Sequence, residues 1–178
     1  KVSEVTIRND LDQLEQKNTL IRARGGAIKF ETRMAYDQRV VDKSKIHFKE
    51  KALIGKEAAR HVKESDIIII DSGSTTSQMV GNFIDFQDLT VITNALDIDN
   101  QLISKPNINV IIPGGYLRKN SISMVGPMAE KALRNFNVDK VFLGVDGIDT
   151  RHGLYTPNVE EARLNEVMIE ISKEVILL

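Results

Sequence analysis

Apolar positions follow two regimes along the chain. Near its start they recur at helical spacing: Ile7, Leu11 and Leu14 lie four and three residues apart, behind Ser3, a good N-cap. A helix is predicted from there to Asn18, a residue that tolerates the left-handed backbone of a helix stop. Leu20–Ile28 places apolar arms around Arg22, Arg24 and a Gly25-Gly26 turn, which predicts a small β-hairpin, or wing. Phe30–Ser44 has no clean period and reads as a linker, and Lys45–Lys63 reads as helical, with Ile46, Leu53, Ile54 and Ala58 broadly on one side.

From Asp66 the pattern becomes repetitive. Strand-like runs at Asp66–Asp71, Leu89–Thr93, Ile108–Ile112, Asp139–Leu143 and Glu174–Leu178 alternate with helix-like segments at about Thr75–Ile84, Ala95–Ser104, Val125–Asn135 and Val159–Lys173. Such alternation implies parallel pairing with right-handed crossovers. Short aliphatic runs, rather than apolar-polar alternation, imply strands buried on both sides. The expected fold class is α/β: an open, mainly parallel sheet with helices on both faces, preceded by a partial winged helix-turn-helix. The expected domains are 1–30 for the DNA-binding part, 31–44 for the linker and 45–178 for the α/β body.

A chain of 178 residues with 42% apolar and 28% charged residues is that of a soluble globular protein, large enough for one domain and an appendage. It has no cysteine, so disulfides and thiolate metal sites are excluded and a reducing cytoplasm is compatible. The longest purely aliphatic run, Ile67–Ile70, is too short to span a bilayer. The first residue is Lys rather than Met, a complete winged helix needs helices before it, and Glu174–Leu178 reads as a strand opening. A piece of a longer protein is therefore expected, one that binds DNA poorly by itself. The net charge of −1 hides an asymmetry: residues 1–30 hold six Lys/Arg against four Asp/Glu, whereas residues 139–178 hold four against eight. A basic head on an acidic body fits a DNA reader joined to something that does not touch DNA.

Chemistry concentrates in two places. Off the apolar face of the first helix lie Ser3, Thr6, Arg8 and Asn9, short donors and acceptors plus one fork-shaped cation, a set suited to base edges in a major groove. Arg22 and Arg24 on the hairpin are candidates for phosphate contacts. In the body, the first strand runs into Asp71-Ser72-Gly73-Ser74-Thr75-Thr76 and then a helix, which offers a tight turn, outward amides and hydroxyls to an anion. A Ser- or Thr-capped helix after a glycine turn is also ordinary, and the other strand ends weigh against that plain reading. They carry Asn94, then Gly114-Gly115 with Arg118 as a cation for phosphate, then Asp146 and Asp149 as acceptors for sugar hydroxyls, with Glu160 or Glu161 beside them. Together these describe a phosphosugar pocket at the carboxyl edge of the sheet.

VSEVTIRNDLDQLEQKNTLIRARGGA at Val2–Ala27 resembles the recognition helix and wing of the DeoR family of bacterial sugar-metabolism repressors. Asn9 stands where that family commonly has a second Arg, and Asn18 where it usually has Gly. DSGSTT, TNA, GGYLR, the SMVG of Ser123–Gly126, FLGVDGID and the EEAR of Glu160–Arg163 extend the resemblance to the family's effector domain, itself similar to ribose-5-phosphate isomerase and glucosamine-6-phosphate deaminase. Thr156–Asn165 is similar to repressors of amino-sugar catabolism, such as that of N-acetylgalactosamine use.

The resemblance implies that Ser72–Thr76 hold an effector phosphate and that Asp146 and Asp149 face its sugar. The family's Lys beyond the last aliphatic strand has no counterpart here, because the chain stops before it. The rival reading is an aldose–ketose isomerase or deaminase, with Asp146 and Asp149 moving a proton beside a carbonyl. Against it, Asp71 stands where those enzymes usually have Gly. His47, His61 and His152 are scattered, no His/Asp cluster has metal-ligand spacing and no Gly-Lys-Ser/Thr follows a strand, so neither a cofactor nor a metal is expected. The expected partners are operator DNA, a phosphorylated sugar and further copies of the chain, as a dimer or tetramer, with no membrane. Ligand binding would act by population shift, relayed through the linker.

Overall fold

The computed structural model describes residues 3–16, 20–23, 26–29 and 37–178. It divides into two compact units, residues 1–37 and 38–178.

In the first unit, helix α1 (Glu4–Gln16) precedes strands β1 (Leu20–Ala23) and β2 (Gly26–Lys29), which pair antiparallel with Leu20 opposite Lys29 and Ala23 opposite Gly26. The predicted helix and hairpin are both present. Asn18, Arg24 and Gly25 lie outside the described residues, as does the predicted linker as far as Tyr36.

The second unit is an α/β layer structure. Its five-stranded sheet has the order β11-β8-β3-β4-β5, formed by Ser172–Leu177, Val138–Leu143, Ile67–Ile70, Leu89–Thr93 and Ile108–Ile111. Every pairing in it is parallel. Because side chains alternate across a strand, Ile68 and Ile70 face one side and Ile69 the other. The first side packs against α3 (Phe48–Ala59), a 3-10 helix (Thr76–Asn82) and α4 (Leu96–Leu102) through Ala58, Met79, Val80, Ile98 and Leu102. The second side packs against α5 (Pro127–Leu133) and α6 (Val159–Glu170) through Ala129, Leu133, Leu164, Val167 and Met168. The open parallel sheet covered on both faces is as expected.

Several details differ from the sequence pattern, each for a local reason. The helix expected at Thr75–Ile84 is a 3-10 helix, because Thr76 Oγ1 donates to the Gly73 carbonyl and Ser77 Oγ to the Ser74 carbonyl, tightening its first turn. Val125 belongs to a strand rather than to α5, which starts after Gly126 (φ +97°) with Pro127 in its first turn. Lys45–Lys63 is not one helix. His47 takes a left-handed conformation (φ +54°) and separates α3 from the short α2 (Val40–Lys43), so the end of the predicted linker is folded, with Val40 buried. Two antiparallel hairpins were not expected: β6–β7 (Tyr116–Arg118, Ser123–Val125) and β9–β10 (Gly147–Asp149, Gly153–Tyr155).

The packing of α3 turns on Gly55, where an added Cβ would lie 2.6 Å from Gln78 Cβ and 2.7 Å from the Gln78 carbonyl carbon. Gly55→Ala gains about 1 kcal/mol of helix propensity. Overpacking against backbone costs about 1–3 kcal/mol and outweighs that gain. A net loss of stability is expected, read as a lower urea midpoint at unchanged m; a raised midpoint would show that the two helices are not in contact there.

Candidate functional site

In the first unit, Ser3 is the N-cap: its Oγ accepts the Thr6 amide at 3.2 Å and meets Thr6 Oγ1 at 2.8 Å. Thr6, Arg8 and Asn9 are exposed on α1, and Arg8 donates to Glu4 Oε1 one turn back at 2.5 Å. An exposed pair at this spacing contributes a few tenths of a kcal/mol, so Arg8 is easily recruited by a stronger acceptor. Arg22 has another task. Its amide donates to Glu15 Oε1 at 3.0 Å and its Nη1 to Asp12 Oδ1 at 2.5 Å, pinning β1 onto α1 rather than presenting an unpaired cation to phosphate.

In the second unit the strand order reverses between β3 and β8, so the chain leaves these neighbouring strands toward opposite faces. Ligands in open α/β sheets collect in the crevice beyond such a point. The Ser72–Thr76 loop leaves β3 here, and Gly144 leaves β8 beside it: a Cβ at Gly144 would lie 3.8 Å from the Ser72 carbonyl oxygen and from Thr76 Cγ2. The loop is braced from within. Asn94 Oδ1 accepts the Ser72 amide at 3.2 Å while Asn94 Nδ2 donates to the Met124 carbonyl, and Gly73 O accepts the Ser77 amide at 3.1 Å. Ser74 and Thr76 are buried. Among the described residues, none accepts a hydrogen bond from the amides of Gly73, Ser74 or Thr75. Three adjacent donors therefore remain at the head of the 3-10 helix.

Asp71 is buried at the foot of the loop, where its Oδ1 accepts the Ser72 hydroxyl at 3.5 Å and the nearby backbone amides of Ser72 and Gly144 favour its charged form. Burial first, and then the nearby Glu161 carboxylate, push its pKa up to about 8, against those amides, which pull it down. A carboxyl mostly neutral at pH 7 does not repel an anion on the loop above it.

The remaining predicted residues divide. Glu161 sits at the start of α6, where Asn158 caps its amide at 3.0 Å. It accepts Arg118 Nη1 at 2.7 Å on one oxygen and Thr156 Oγ1 at 3.0 Å on the other. Arg118 is thus neutralised inside the protein, and also donates to Ser121 Oγ at 2.9 Å, instead of standing ready for a phosphate. Gly115 (φ +115°) is required by packing, since a Cβ there would lie 2.5 Å from the Val125 carbonyl oxygen, whereas Gly114 (φ +78°) borders open space. Asp149 ends β9 in the β9–β10 hairpin. It accepts the amides of Arg151 and His152 and meets His152 Nδ1 at 2.9 Å, which hold it below the usual carboxylate range as the cap of the β9–β10 turn. Asp146 is paired with Lys43 of α2. Lys43 and Thr156 escaped sequence reasoning: Lys43 lies where the pattern has no period, and Thr156 was visible only as part of the lead into α6.

Asp71 links the site to pH. Below about pH 4 both the folded and unfolded chain hold its proton; between about 4 and 8 only the folded chain does, so stability falls as pH rises through that window. Asp71→Asn removes this slope. Its melting temperature relative to the parent chain is expected to climb from pH 5 to pH 8, and a pH-independent difference would show Asp71 ionised throughout.

Residues 46–178 match the DeoR C terminal sensor domain, and residues 1–33 match the DeoR-like helix-turn-helix domain. The chain is 37% identical over 177 residues to the putative aga operon transcriptional repressor of Escherichia coli O157:H7, covering 99% of this chain and 66% of that protein. It is 35% identical over 178 residues to the HTH-type transcriptional repressor GlcR of Bacillus subtilis (strain 168), covering 100% of this chain and 68% of that one. It thus spans about two thirds of the length of these relatives. Among solved structures, ribose 5-phosphate isomerase from Plasmodium falciparum superposes with a TM-score of 0.50 at 17% identity, over 71% of this chain and 48% of that one, a likeness of fold alone. With a sensor-domain match over most of its length and a helix-turn-helix match ahead of it, the chain belongs to the DeoR family of transcriptional regulators.

Proposed function

We propose that the protein containing this chain represses sugar-catabolism genes in the cytoplasm, and that its α/β body senses a phosphorylated sugar. In this reading residues 1–30 read operator DNA, residues 31–44 connect, and residues 45–178 sense. The observation that carries it is the set of unengaged amides at Gly73, Ser74 and Thr75, above a mostly neutral Asp71 at the strand-order switch. Three converging backbone donors with hydroxyls beside them suit a phosphoryl group. Asp146 and Gly114 line the sugar side, while Arg118, Glu161 and Asn94 hold the walls. No cofactor is needed for sensing, and the body is not an enzyme in this reading. Asp149 is held by the hairpin turn, Glu161 by Arg118 and Thr156, and Asp146 by Lys43, so these three acids are already engaged rather than free for proton transfer. Among the described residues no helix is long and apolar enough to cross a membrane. A symmetric pair or tetramer follows from the two-fold symmetry of operators read by such helices.

Two experiments test this. A thermal-shift screen of phosphorylated hexoses and amino sugars is expected to yield a selective ligand, worth about 2.7 kcal/mol at a hundredfold excess over its Kd. Gly73→Val, whose first side-chain carbon already lies 3.0 Å from Thr76 Oγ1, is expected to abolish that shift while the fold persists. A surviving shift removes the loop from the site, and NMR detection of turnover of any sugar phosphate overturns the sensor reading.

In the full-length protein, Arg8→Ala is expected to cost about 1–3 kcal/mol in discrimination between operator and random DNA. Equal weakening on both would make Arg8 a phosphate anchor without a part in base readout.

A further inference from the structure

Two of the cations on the segments beyond the sheet, Arg118 and Lys43, are tied to carboxylates, but the two pairs differ in kind. The Arg118 and Glu161 side chains are only 10% and 13% exposed, and each is held by a further hydroxyl. Breaking that pair strands a buried charge, a cost on the order of a hundredfold or more in any open state. Lys43 and Asp146 are 29% and 39% exposed, and Lys43 sits on a four-residue helix. A pair of that exposure contributes about two- to fivefold. The Lys43 pair is therefore the one a ligand can displace.

Its position gives the displacement somewhere to go. Asp146 lies two residues beyond Gly144, which borders the Ser72 carbonyl and Thr76, and two extended residues span about 7 Å. The Lys43–Asp146 pair thus stands on the strand end that flanks the Ser72–Thr76 loop. At equal distance a phosphoryl dianion attracts the Lys43 ammonium about twice as strongly as the singly charged Asp146 does. Little else fastens α2: the Val40 amide donates to the Asn120 carbonyl at 2.7 Å, Lys51 Nζ donates to the Lys43 carbonyl at 2.5 Å, and Val40 is buried.

We propose that Lys43 is the exchangeable counter-charge of this site: it neutralises Asp146 in the absence of ligand and passes to the phosphoryl group when an anion docks on the Gly73–Thr75 amides. Asp146 is then open to ligand hydroxyls, and α2 shifts. The second unit begins at Gln38, so α2 is its first helix. The inference rests on the reading of the loop as an anion site.

The test is hydrogen exchange of the whole chain with and without millimolar inorganic phosphate. Phosphate is expected to slow exchange at residues 72–77 and to speed it about two- to fivefold at residues 38–46. In Lys43→Met and in Asp146→Asn, residues 38–46 are expected to exchange at the faster rate already, with no further rise on adding phosphate. Slowing at 72–77 without change at 38–46, or a phosphate response at 38–46 that survives in Lys43→Met, overturns the exchange and leaves the anion site standing. Absence of slowing at 72–77 in the parent chain overturns the anion site itself.

Discussion

The structure of the body depends on the contact between β3 and β8, neighbouring strands that send their chains to opposite faces. Parallel strands that part in this way leave amides at their ends with no ladder partner, and buried amides without acceptors are costly. Asp71 sits where that need arises. Its buried carboxyl accepts the Ser72 hydroxyl at 3.5 Å and lies beside the amides of both departing chains, at Ser72 and Gly144. The same burial keeps Asp71 mostly neutral at pH 7. A carboxyl beside a phosphate loop therefore does not contradict anion binding, as it would if ionised.

Recognition at this edge differs from the ionic clamp suggested by the residue types. The charge of Arg118 is matched by Glu161, and that of Lys43 by Asp146. What lacks a partner among the described residues is backbone: three amides on a turn braced by Asn94 and by the Thr76 and Ser77 hydroxyls. Backbone donors fixed by such bracing need no reorganisation when an anion arrives. They also fix its position more tightly than a long flexible cation would. Balanced charge pairs around the amides keep the site from attracting every passing anion, so selection falls on shape and on the sugar side.

Much of this was legible in the sequence, for physical reasons that can be named. The runs at Ile67–Ile70, Leu89–Thr93 and Val138–Leu143 are buried on both sides, so they carry no competing surface pattern and their ends are sharp. The Asp71–Thr76 loop stood out because its residue types have few uses other than turns, caps and anions. The hairpins β6–β7 and β9–β10 did not stand out, since three-residue strands at the surface have too few positions for a period. Missing them hid local roles as well: Asp149 accepts the amides of its own turn, and Gly115 packs against the Val125 carbonyl. α2 was hidden for the same reason as the hairpins, being one turn long and held mostly by contacts remote in sequence, Asn120 and Asp146.

The likeness of fold to an isomerase makes the arrangement of acids informative. Proton transfer at a sugar carbon needs a carboxylate that is unengaged and aimed at the reacting atom. Here Glu161 is held by Arg118 and Thr156, Asp149 by its own turn, and Asp146 by Lys43. Of these commitments only the last is weak and partly exposed. The sensor reading proposed above therefore turns on Asp146, because its pair with Lys43 is partly exposed and joins the chain leaving β8 to α2, the first helix of the second unit.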